Sequence, residues 1–170
     1  MTPVRHQRKS VLWRSLRVIV AAAVVGASLL WPRVIVAATT ERVITDRHTG
    51  LAIDGYDPVA YFTEGAATPG VPDFEHRFSG VVWRFRNQGD RDAFIQDPDI
   101  YMPAFGGYDP IAIARGVAVG GNPTVWLTAG DRLFLFYTPQ DRATFEADPD
   151  RAIGDAEARW PEVSGALVQR

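Results

Sequence analysis

Val125-Trp126-Leu127-Thr128-Ala129-Gly130-Asp131-Arg132-Leu133-Phe134-Leu135-Phe136-Tyr137-Thr138-Pro139-Gln140-Asp141 is the stretch whose pattern carries the fold. Two runs, Val125–Thr128 and Leu133–Tyr137, flank Ala129-Gly130-Asp131-Arg132, which predicts a β-hairpin. Both runs are apolar on both faces, so this hairpin is expected to be a buried one. Thr138 then offers an N-cap, Pro139 suits the first helical position, and Asp141 stands three residues after the cap, so a short helix should follow. That helix is expected to stop at Asp148-Pro149, because proline disfavours α geometry in the residue before it.

The same plan occurs earlier in the chain. Phe74-Glu75-His76-Arg77-Phe78 alternates, Ser79-Gly80 turns, and Val81, Trp83 and Phe85 share one face with Arg84 and Arg86 on the other. This is a hairpin with one wet face, where arginines pair with neighbouring acids. Asn87 to Asp90 repeats the helix start, and Asp97-Pro98 the stop. The likeness extends to identity: Phe85, Asp90, Arg91, Phe94, Asp97, Pro98 and Asp99 return as Phe136, Asp141, Arg142, Phe145, Asp148, Pro149 and Asp150. Ahead of them, Gly55-Tyr56-Asp57-Pro58-Val59-Ala60 returns as Gly107-Tyr108-Asp109-Pro110-Ile111-Ala112. Such self-similarity indicates a duplicated unit. The expected organisation of residues 51–170 is an α+β domain of two β-hairpin/short-helix repeats, 51–106 and 107–152, closed by a C-terminal helix at 152–160 that Pro161 ends. Residues 39–50 read as a polar, aperiodic leader.

The chain has 170 residues, 46% hydrophobic and 22% charged, which excludes disordered and low-complexity classes. Its charges are segregated. Residues 1–38 carry six arginines and lysines and no acid, whereas residues 39–170 hold twelve basic groups against all twenty acids. A body that acidic is unsuited to nucleic acid, whose binding needs clustered cations. The basic start, the uncharged run Val18–Trp31 and Val36-Ala37-Ala38 read as an export signal over residues 1–38, of the Sec type because no Arg-Arg pair precedes the run. An uncleaved anchor through Pro32-Arg33 is the alternative, and it is the one expected contact with a membrane. Either way residues 39–170 face out of the cytoplasm, in the periplasm or secreted. Zero cysteines remove disulfides, thiol catalysis and thiolate metal sites together.

Four runs, Asp54–Gly65, Phe78–Phe85, Asp90–Tyr108 and Glu157–Val163, in that order, resemble the exported YHS-domain proteins of bacteria. The resemblance covers about Leu51 to Val163. It implies the fold and the export, whereas the exported family has no established reaction. Related metal-linked YHS and TRASH-type modules carry a Phe-Cys-Ser-x-x-Cys core. At the matching positions this chain has Phe85-Arg86-Asn87-Gln88-Gly89-Asp90, with Arg86 and Asp90 in place of the cysteines. Asp109 stands where many exported relatives have cysteine after Gly-Gly-Tyr.

The repeated Gly-Tyr-Asp-Pro is the leading candidate site. Two related loops presenting Tyr56, Asp57, Tyr108 and Asp109 to one cleft would suit a metal ion, a hard cation above all, or a small molecule. The structural alternative is that glycine makes a tight turn, proline sets φ, and the aspartate bonds nearby backbone amides. His76, in phase with Phe74 and Phe78, is a further metal candidate beside Asp57 and Asp109, or else a core-facing histidine bonded to backbone. No nucleotide fingerprint or hydrolase elbow occurs. The expected function is a non-catalytic binding module for a metal ion or small molecule held between the repeats. A hydrolase using paired carboxylates, Asp57 with Asp54 or Asp109, and a domain that docks an envelope protein are the alternatives.

Overall fold

A computed structural model describes residues 42–167. The export segment read from residues 1–38 lies outside the described residues. Two antiparallel hairpins organise the rest: β1 (Val71–Phe78) with β2 (Val81–Phe85), and β3 (Asn122–Ala129) with β4 (Arg132–Phe136). The helices are α1 (Ala60–Thr63), α2 (Gln88–Gln96), α3 (Pro98–Tyr101), α4 (Pro110–Ala114), α5 (Pro139–Ala147) and α6 (Pro149–Leu167). The expected α+β class is therefore what this domain has.

The hairpins are alike in register as well as sequence. Val71 pairs with Phe85, the register then shifts, and pairing resumes at Glu75–Arg84. Asn122 pairs with Phe136, the register shifts at the same place, and pairing resumes at Trp126–Leu135. Each turn has two residues with positive φ, Ser79 and Gly80 (51° and 82°) or Gly130 and Asp131 (54° and 57°). Such turns follow the natural twist of a hairpin. Gly70 and Gly121 occupy equivalent points where the incoming loop crosses the outgoing strand. A Cβ there would lie 2.6 Å from the Arg84 carbonyl carbon or 2.5 Å from the Leu135 side chain.

Strand β4 divides the interior. Its side chains alternate, as a strand's must. Leu133 and Leu135 enter one cluster with Trp83, Phe85 and Phe94, whereas Phe134 and Phe136 enter a second with Phe145, Ile113 and Phe105. All four are fully buried, so this is the buried hairpin, although β3 is only half-covered. Tyr61 of α1 ties the two halves together: its hydroxyl donates to the Pro123 carbonyl (2.9 Å) and its ring meets Trp126 edge-on. Both helix starts have the expected caps. The Asn87 side chain accepts from the Asp90 amide (2.9 Å) and the Thr138 hydroxyl from the Asp141 amide (3.1 Å). Asp97 and Asp148 end α2 and α5, and the following prolines each open the next helix.

Two expectations are corrected. Helix α6 begins at Pro149 and continues through Pro161 to Leu167 rather than spanning 152–160. An interior proline costs about 3 kcal/mol. Beyond it, however, Val163 and Leu167 are buried in the second cluster, and burying each contributes roughly 1.5–3 kcal/mol. The tertiary term outweighs the local one. The second correction concerns the leader. Val43 is buried in the first cluster, and Thr45 bridges to Ala52. The Ile44 amide donates to the Gly106 carbonyl (2.9 Å) and its carbonyl accepts from the Ile53 amide (3.1 Å). Residues 42–46 thus form a strap laid across both repeats, part of the domain rather than a lead into it.

Candidate functional site

Each Gly-Tyr-Asp-Pro loop follows a short 3-10 turn, Ile53–Gly55 or Ala104–Gly107, in which successive residues are left-handed. Ile53, Asp54 and Gly55 have φ of 42°, 55° and 79°, and Phe105, Gly106 and Gly107 have 55°, 65° and 88°. For non-glycine residues this region costs roughly 1–2 kcal/mol each, so something must hold the turns. The aspartates that follow supply part of that hold.

Asp57 is fully buried. Its Oδ1 accepts from the Val59 amide (2.8 Å) and its Oδ2 from the Arg86 amide (2.9 Å) at the exit of β2. Asp109, equally buried, accepts at Oδ1 from the amides of Ile111 (2.8 Å) and Ala112 (3.4 Å). Its Oδ2 accepts from the Tyr137 amide (2.8 Å) at the exit of β4. The aspartates' own amides donate to the carbonyls of Thr68 and Val119 (2.8 and 2.9 Å). Each carboxylate is therefore a pin that closes its own turn and fastens the turn to the end of a hairpin.

The expected common opening is not formed, since neither carboxylate reaches solvent and their oxygens are taken up by backbone amides. Asp57 and Asp109 are thus arranged as in the structural alternative, in which the aspartate of each turn bonds backbone amides. Burial pushes the Asp57 carboxyl up to about 6 against the pull of its two amides, with Asp90 nearby adding to the rise. Burial likewise raises Asp109. Tyr56 is half-buried against the first cluster and bridges to Pro69; Tyr108 is buried, bridges to Gly120, and stacks near Trp160 with 6.0 Å between ring centres.

His76 lies opposite Trp83, in phase with Phe74 and Phe78. It is only half-buried and makes no side-chain hydrogen bond among the described residues, so the expected bond to backbone is absent. No three histidines, aspartates or glutamates among the described residues are grouped to hold a metal ion. The wet face behaves as read: Arg84 pairs with Glu75 across the strands (2.7 Å). Arg86 pairs with Asp90 (2.6 Å) and with Glu64, and Asn87 joins at the same Asp90 oxygen (3.0 Å).

An open feature among the described residues is one that the sequence patterns do not announce. A cleft of about 540 Å3 lies between the strap, residues 116–120, and the end of α6. Val43, Ile44, Thr45 and Arg47 form its first wall, Tyr108 with the loop its second, and Val163, Ala166 and Leu167 its third. Of the four Gly-Tyr-Asp-Pro candidates only Tyr108 lines it. The one available signal was the apolar spacing of Val163 and Leu167, which Pro161 masked.

No family model matches the chain, and neither do curated proteins or solved structures.

Proposed function

We propose that this chain is an exported, YHS-like, non-catalytic binding module whose ligand enters the cleft beside Tyr108. The observation that supports this reading is the division of labour between two places. The repeated aspartates are committed to backbone amides, whereas the cleft is open and of a size suited to one small molecule. Arg86 and Asp90, at the positions that metal-linked modules give to cysteine, are bonded to one another, so an ion pair occupies that corner of the fold.

The reading is tested on protein recovered from the exported fraction and purified without chelator, by native mass spectrometry with elemental analysis. The expected result is a small-molecule adduct, lost when Ala166→Trp fills the cleft, on a chain that starts near Thr39. A stoichiometric metal that disappears with Asp57→Ala and Asp109→Ala would replace this reading with an oxygen-ligated metal site. Protein that carries no adduct and elutes with an envelope protein would favour the interaction reading.

A further inference from the structure

Among the described residues, eight arginines pair with acids: Arg84, Arg86, Arg91, Arg115, Arg132, Arg142, Arg151 and Arg159. Arg77 reaches the Gly80 carbonyl (3.5 Å). Arg42 and Arg47 have neither an ion pair nor a side-chain hydrogen bond among the described residues. In a domain this rich in acid, cations without a partner are the exception. Both lie on the strap, and Arg47 lines the cleft. The acid next to it, Asp46, is occupied: its Oδ1 accepts from the amides of His48 (3.0 Å) and Thr49 (2.7 Å) and from the Thr49 hydroxyl (2.8 Å). Thr45, also on the wall, is exposed, and its hydroxyl has no partner among the described residues. Among the described residues, the other two walls, Tyr108 with the 116–120 loop and Val163 with Ala166 and Leu167, bring no charged side chain to the cleft.

We infer that the cleft binds a small amphiphilic anion, an acyl chain or flat apolar body carrying one carboxylate. The apolar part would lie between Val117 and the last turn of α6, and the carboxylate would meet Arg47 and Thr45 at the strap. An uncharged apolar molecule would leave Arg47 unused, and a cation would meet it unfavourably. The volume falls within the ~300–1,000 Å3 of single small-ligand sites, which suits one free amphiphile. This inference rests on the binding-module reading and specifies its ligand.

Calorimetric titration of the exported protein tests it, with three probes below their aggregation limits: decanoate, decanol, and acetate. Decanoate is expected to bind about tenfold more tightly than decanol, a difference of ~1.4 kcal/mol, while acetate does not bind measurably. Arg47→Gln should weaken decanoate by about three- to tenfold, as expected for a partly exposed charge contact, and leave decanol unchanged. Ala166→Trp should abolish binding. Both side chains are exposed, so folding should survive, and Val117→Trp from the opposite wall serves as a second block. Equal binding of decanoate and decanol, indifferent to Arg47→Gln, overturns the anion inference and leaves the module reading standing. Decanoate binding that survives both blocking variants overturns it by placing the site elsewhere. No binding of any probe also overturns it, and the native-mass adduct then judges the module reading separately.

Discussion

Truncating Asp109 to alanine distinguishes a pin from a ligand group. The change removes two short bonds of 2.8 Å, from Ile111 and Tyr137, and a longer one of 3.4 Å from Ala112. Each bond to a charged acceptor is worth about 1.5–3 kcal/mol, and an abandoned buried donor costs about as much. Two full-strength bonds therefore set a gross loss of ~3–6 kcal/mol. Against this, the variant no longer buries a carboxylate, and that burial already outweighs the amide bonds enough to raise the carboxyl's pKa. The net expectation is a loss of about 3 kcal/mol, or roughly 10 °C in Tm for a domain of this size. Asp109→Asn keeps one acceptor oxygen but points an amide donor at another donor, so about half that loss is expected. The assay is urea and thermal unfolding followed by tryptophan fluorescence, with the exposed Asp150→Ala as control. A loss below about 1 kcal/mol for Asp109→Ala would refute the pin, because buried amides cannot be abandoned so cheaply. So would an Asp109→Asn protein of unchanged stability.

Further predictions follow from the same structure. Asp57 has a folded pKa of about 6, above its ordinary 3.8, so between those values the folded chain holds more protons than the unfolded one. Its contribution to stability is therefore full below about pH 4 and is lost as the pH rises to about 6; the Tm difference between wild type and Asp57→Asn, measured across that window, should show this slope, and a flat difference would disprove it. Gly106→Ala would place a Cβ 1.7 Å from the Arg42 carbonyl oxygen at a φ of 65°. The strap should lift, with early proteolysis near residues 42–50 and a stability loss of several kcal/mol, whereas Gly116→Ala, in open space at φ 79°, should cost about 1 kcal/mol. Pro161→Ala restores an amide in the middle of α6 and should raise stability by about 1–3 kcal/mol; a lower Tm would mean that the packing of Val163 and Leu167 requires the proline.

What the amino-acid sequence determined by itself was the local grammar. Alternation set the strands, Ser79-Gly80 and Gly130-Asp131 set turns of positive φ, Asn87 and Thr138 capped helices, and Asp-Pro separated them. These signals act within a few residues, so they are present in the string, and their repetition made the duplication visible. The turn half of the aspartate motif was legible for the same reason, since Val59 and Ile111 lie two residues away. Its other half was not, because the amides of Arg86 and Tyr137 lie 29 and 28 residues further on. Only the folded hairpin brings those donors back to the carboxylates, and their arrival turns a candidate ligand set into a structural fastening. Burial decided the rest. It drew Val43 into the core from an apparently polar leader, carried α6 past Pro161 to bury Val163 and Leu167, and sent alternate side chains of β4 into two clusters. The cleft arises where the strap meets the end of that helix. It joins residues more than a hundred positions apart, a proximity that no local pattern encodes and that only long-range packing creates.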